Sequence, residues 1–136
     1  MVSNDHDTDF KVTIAIKPHF AIINCVWTKA VPEPRRAAVT VFCMAFNNAL
    51  KHAWSKVDID QRDGEFRVST ALPVGVMAAQ PEGMLKFYVE MAALGTNVTL
   101  AGVQQVAFGT NNDPLKRGDA SAKLVNLIVD AKLASH

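Results

Sequence analysis

No apolar run in this chain reaches the roughly 18 residues that a membrane-crossing helix needs, so no membrane partner is expected. Cysteine is scarce. Cys25 and Cys43 are the only two, too few for a disulfide framework, and they read as reduced, buried thiols of a cytoplasmic protein. An excess of one charge is lacking too. Fourteen basic residues against 13 acidic ones leave a net charge of +1, too small a bias to draw nucleic acid or a membrane surface through the field alone. No phosphate loop ending in Gly-Lys-Ser/Thr, no Gly-x-Gly-x-x-Gly, no His-Glu-x-x-His, no paired-cysteine metal spacing and no nucleophile elbow occurs. The expectation is a protein without metal or cofactor, and not an enzyme.

What is present is apolar residue in regular patterns. Hydrophobic residues make up 49% of 136, enough for one domain that buries about two-thirds of its unfolded surface. The polar start, Met1 to Asp9, lacks the charged-then-apolar order of a signal peptide. Residues 1–8 are expected as a flexible tail and 9–134 as the domain. The Asn97-Val98-Thr99 sequon is then a chance match.

Phe10, Val12, Ile14 and Ile16 alternate with Lys11, Thr13, Ala15 and Lys17, the period of a half-buried strand. Pro18-His19 turns the chain, and Phe20 to Lys29 returns as a second, antiparallel strand. A helix opens near Pro32 or Pro34, where a missing N–H costs nothing. Its stripe is Val39, Phe42, Cys43, Phe46 and Leu50. Lys56 to Asp60 and Phe66 to Thr70 form a second hairpin around Asp63-Gly64. Val74 to Gln80 is a loop. Pro81 opens a second helix, with Met84, Leu85, Tyr88, Met91 and Ala92 inward and Gly95 as its stop. Thr96 to Phe108 is a short further helix, and 109–118 a loop. Asp119 then caps a last helix, with Leu124, Leu127, Ile128 and Ala131 lining one of its faces. The order β-β-α-β-β-α-α-α predicts an α+β fold: an antiparallel sheet from two hairpins, packed against helices.

Few side chains suggest chemistry. Arg35 and Arg36 fall in the first helical turn, where the dipole is positive, so a bound anion or a carboxylate such as Glu33 or Glu65 would offset them. Asp58, Asp60 and Asp63-Gly64 resemble a calcium loop, but the spacing is wrong by one and Thr70 stands where a bidentate glutamate belongs. Cys43 and His52 are nine residues apart on one helix, over about 10 Å, which excludes direct contact. Asn47 on an apolar helix should bond a neighbouring backbone group. Trp27, with Phe20, Trp54 and Tyr88, either packs in the core or lines a groove for a client segment. Met77, Met84 and Met91 would make such a groove adaptable.

From about Phe20 to Asp113 the chain resembles a bacterial YbjN-domain protein. The matching residues are Val31-Pro32-Glu33 with Arg35-Arg36, then Asn47 and Leu50 on the central helix. Asp60, Asp63-Gly64-Glu65, Arg67 and Thr70 follow in the hairpin, and Phe108-Gly109 and Asp113-Pro114 close the domain. The resemblance implies a type III secretion chaperone-like fold and a regulatory or chaperone-like role, without catalytic residues. The expected function is a non-catalytic protein-binding module that takes a protein client or a second copy, as a homodimer. Its candidate binding residues are Arg35, Arg36, Trp27 and Asn47, and its candidate docking edge is Phe10–Lys17. The alternative is a small anion- or nucleotide-sensing protein or enzyme built on the Arg35/Arg36 helix end.

Overall fold

Period-two alternation produces the first hairpin. In a computed structural model that describes residues 8–51, 55–73, 81–109 and 113–135, β1 (Phe10–Ile16) pairs antiparallel with β2 (Phe20–Ala30). The tight turn closes with Lys17 N donating to Phe20 O at 2.9 Å. A 3-10 turn, Glu33–Arg35, leads into α1 (Arg36–Ala49). β3 (Ser55–Ile59) and β4 (Glu65–Pro73) form the second hairpin. Two helices follow, α2 (Pro81–Phe108) and α3 (Pro114–Ser135). The four strands form one antiparallel sheet in the order β1-β2-β4-β3. The fold is the expected α+β one, an antiparallel sheet of two hairpins packed against helices. The expected tail residues 1–7, the loop Val74 to Gln80, and His6, His52, Trp54 and Met77 lie outside the described residues.

The second hairpin turn is held by its own side chains. Asp60 accepts from the Arg62 amide at 2.9 Å and from the Arg62 guanidinium at 2.9 and 3.1 Å. Hydrogen bonding to Arg62 lowers the Asp60 carboxyl to about 2. The folded value lies below the ordinary 3.8, so this contribution is present above that value and is lost as pH falls through about 2. Gly64 sits at φ +80°, and a Cβ there would overlap the Val31 carbonyl oxygen. Asp60 and Asp63 are thus occupied by the turn. Among the described residues no cluster of three metal-ligating groups exists.

One sheet face carries the core. Ile23, Cys25, Trp27, Val57, Ile59, Phe66 and Val68 pack under Val39, Phe42, Cys43 and Phe46 of α1. Helix α2 adds Phe87, Met91, Leu100, Val103 and Val106. The stripe expected on α1 is the buried one. Two helical segments expected either side of Gly95 run on as the single helix α2. Gly95 lies inside that helix, against Val125 of α3, so packing outweighs its propensity cost of about 1 kcal/mol.

Helix α3 differs most from expectation. It begins at Pro114, five residues ahead of Asp119, and the cap is Asp113, whose Oδ1 accepts from Leu115 N at 3.0 Å. Asp119 pairs instead with Lys123 at 2.8 Å, one turn on. The buried face is Ser121, Ala122, Val125 and Val129, not Leu124, Leu127, Ile128 and Ala131. Small residues decide this. Gly118 lies against α1, where a Cβ would overlap the Phe42 carbonyl oxygen, so this face lets the two backbones approach as leucines would not. Asn126 completes the contact by donating to Ala49 O at 3.1 Å and accepting from Lys51 N at 3.3 Å, which caps the end of α1. Lys51 reaches Asp130 at 2.6 Å. Gly118→Ala should lower stability by about 1–3 kcal/mol through overpacking, read as a lower urea midpoint.

Candidate functional site: an unfinished sheet edge

The two edges of the sheet are treated differently by the sequence. At β3 the outward-facing backbone of Val57 is already paired. Asn47 of α1 donates Nδ2 to Val57 O at 3.0 Å, and Val57 N donates to Asn47 Oδ1 at 3.0 Å. The carboxamide takes the place of a neighbouring strand at the middle of β3. Asn47 is exposed rather than buried, yet it bonds backbone as expected, and its amide is committed within the fold.

At β1 no such group is seen among the described residues. The strand has β2 as its only neighbouring element among the described residues. The Lys17–Phe20 and Thr28–Asp9 backbone bonds fix which groups face inward. Odd-numbered residues of β1 aim their N–H and C=O at β2, and the even-numbered Phe10, Val12, Ile14 and Ile16 aim theirs outward. The same even residues carry the apolar side chains. Val12 lies opposite Cys25, Ile14 opposite Ile23 and Ile16 opposite Ala21, and all three partners are buried on the core face. Val12, Ile14 and Ile16 therefore continue that face beyond the helices, at 40%, 43% and 65% exposure. Phe10, half-buried, joins them to the core. Lys11, Thr13 and Lys17 point to the opposite face.

A second apolar surface lies on α3. Leu124 and Leu127 are 52% and 65% exposed. Beside them a shallow groove of about 260 Å³ runs between α2 and α3, lined by Val98, Ala101, Gln105, Arg117, Ala120 and Leu124. The void inside the core, bordered by Phe46, Met91 and Val125, is about 20 Å³, too small for an organic ligand.

The other residues singled out from the sequence are structural. Trp27 is 3% exposed and packs edge-on against Phe66 at 6.4 Å and Phe108 at 5.9 Å. Its ring belongs to the core. Phe20 lies on the other face of β2, and Tyr88 packs on Phe87. Arg36 makes no use of the expected carboxylates. Its Nε donates to Val31 O at 3.0 Å, and Nη1 donates to Gln61 O at 3.1 Å and Arg62 O at 3.4 Å. The guanidinium thus ties the start of α1 to the β3–β4 turn. Arg35 is exposed, and Glu65 pairs with Arg67 at 3.7 Å. Arg35, Arg36, Trp27 and Asn47 do not converge on one site.

Neither thiol is poised to react. Burial, with the Asp58 charge adding to it, pushes Cys43 up to about 12. Burial raises Cys25 as well, opposed by the Thr96 hydroxyl. The reagent is attacked by thiolate, so both cysteines should resist an aromatic disulfide at pH 8 in the native state and react when urea unfolds the chain. Asn47→Ala should cost about 1–3 kcal/mol, since it strips both bonds from the β3 edge, and denaturant unfolding reads this directly.

Comparison with known protein families, with curated proteins and with solved structures finds no match.

Proposed function

We propose that the protein is a non-catalytic protein-binding module whose docking surface is the free edge of β1. The carrying observation is that one row of residues, Phe10, Val12, Ile14 and Ile16, presents outward backbone groups together with an apolar stripe that is uncovered at Val12, Ile14 and Ile16. An extended segment laid along β1 would pair its backbone with that row and cover the apolar stripe, which is strand addition. Backbone pairing gives affinity, and the stripe selects partners with apolar residues at every second position. Lys11 and Lys17 stay solvated on the opposite face and discourage indiscriminate pairing.

The resemblance to YbjN-domain proteins, with their type III secretion chaperone-like fold and regulatory or chaperone-like role, points to the same class of function. The two free, buried thiols suit a reducing, cytoplasmic setting. No described helix is long and apolar enough to cross a membrane. The anion-sensing alternative has less support, because the Arg36 guanidinium is taken up by carbonyl oxygens.

An array of eight-residue peptides that alternate apolar and polar residues tests the reading. Wild-type protein should retain a subset of them. Ile14→Pro should lose that subset while keeping its fold, because the amide it removes faces away from β2. Leu127→Lys, on the α3 surface, should bind as wild type does. A monomeric wild-type protein that retains no peptide, or an Ile14→Pro protein that binds unchanged, would sink the proposal.

A further inference from the structure

The β1 edge restricts its own partner, and the restriction is readable residue by residue. A strand added antiparallel to β1 must place an apolar side chain opposite each of Phe10, Val12, Ile14 and Ile16. It must also turn the backbone groups of those same residues toward β1. The sequence of β1 satisfies both conditions against itself. If the strand is turned about a twofold axis through Thr13, Val12 meets Ile14 of the second copy and Phe10 meets Ile16. Both are pairs of even-numbered residues, so both exchange backbone hydrogen bonds, and all eight side chains fall on the core face.

Charge agrees with this register and opposes its neighbour. About the Thr13 axis, Lys11 faces Ala15 and Lys17 faces Asp9 of the other copy. Sliding the partner by two residues in one direction sets Lys11 against Lys17 twice. It also asks Pro18 for an N–H that proline lacks. Sliding it the other way moves Phe10 onto Ile14 and leaves Ile16 against the polar Thr8. A one-residue slip would turn every apolar side chain to the wrong face. Pairing at β3 has no comparable opening, since Asn47 holds Val57.

We infer that β1 of a second copy of this chain occupies the free edge, antiparallel about a twofold axis through Thr13, and joins the two sheets into one of eight strands. The inference rests on the strand-addition reading and names its occupant. The interface is isologous, so it closes at two copies and leaves the β3 edges outermost. The apolar stripes of the two copies meet as one patch continuous with both cores.

Cysteine cross-linking tests the register. In this arrangement Thr13 forms a non-hydrogen-bonded pair with its own copy, with Cα atoms about 4.5 Å apart, within the span a disulfide bridges. Thr13 is exposed and turned away from the core, so Thr13→Cys should fold normally. Under mild oxidation it should give a disulfide-linked dimer. Lys11→Cys alone and Ala15→Cys alone should not link, while an equal mixture of the two should give the mixed dimer. Wild-type protein should sediment as a dimer in the micromolar range, and Ile14→Pro as a monomer. A monomeric wild type, a dimer that survives Ile14→Pro, or cross-linking of Lys11→Cys to itself would overturn self-pairing. A dimer that Leu127→Lys abolishes would overturn it as well, by placing the interface on α3. A monomeric wild type that still retains array peptides would leave strand addition standing and remove only the second copy as occupant.

Discussion

The paired hydrogen bonds between Asn47 and Val57 make the sheet one-sided, and the rest of the surface argument depends on that asymmetry. A four-stranded antiparallel sheet has two edges, each a row of unpaired donors and acceptors. On this chain a single carboxamide, reaching across from α1, satisfies the central outward pair of β3. The same contact fixes the height of α1 over the second hairpin, because Asn47 sits one residue past Phe46 of the buried stripe. Closing an edge and seating a helix are here one interaction. Among the described residues no helix packs on the opposite edge, as α1 lies over β3 and α2 over β2 and β4.

The helical layer is narrower than the sheet for a reason that lies in α3. Small residues at Gly118 and Ala122 draw α3 tightly onto α1, and Asn126 and Lys51 clamp its far end to the α1 terminus. Helix α3 packs mainly on α1 and α2 rather than along a strand. A third helix spread across the sheet would have covered β1. Stacked on the other two, it leaves Val12, Ile14 and Ile16 without a lid. The exposed apolar strip of β1 thus follows from how the helices pack. It is not a scatter of surface hydrophobes, because its members share a face, a spacing and a continuous boundary with the core.

Much of this was legible in the sequence, and the failures have a common cause. The two hairpins and the α1 stripe follow from periodicity, which a pattern of residues records directly. The Asp60-Arg62 turn and Gly64 follow from local turn chemistry. Helix α3 is harder to read because it is apolar on two sides. Leu124, Leu127, Ile128 and Ala131 form the greasier stripe, yet shape selected the face of Ala122, Val125 and Val129. Hydrophobicity alone does not choose between two apolar faces when backbone approach does. The Asp113-Pro114 cap was available as an N-cap followed by proline at the first helical position. Arg36 was read through charge, when its role came from the carbonyls of a distant turn. Trp27 was one of two options until Phe66 and Phe108 closed around it.

The coincidence on β1 carries the functional argument further than exposure alone. An edge strand can be harmless in two ways: its apolar side chains can be covered while its backbone is free, or its backbone can be paired while its side chains are polar. Here Phe10, Val12, Ile14 and Ile16 bear both liabilities at once, and Lys11 and Lys17 guard only the far face. Such a strand in a chain of nearly zero net charge has little to keep it apart from other strands. Either it aggregates without selection or its sequence limits what can pair. The placement of Thr13 at the centre, the lysines off-centre and proline just beyond Lys17 supplies that limit, since each wrong register meets a repulsion, a missing donor or a polar side chain against the stripe.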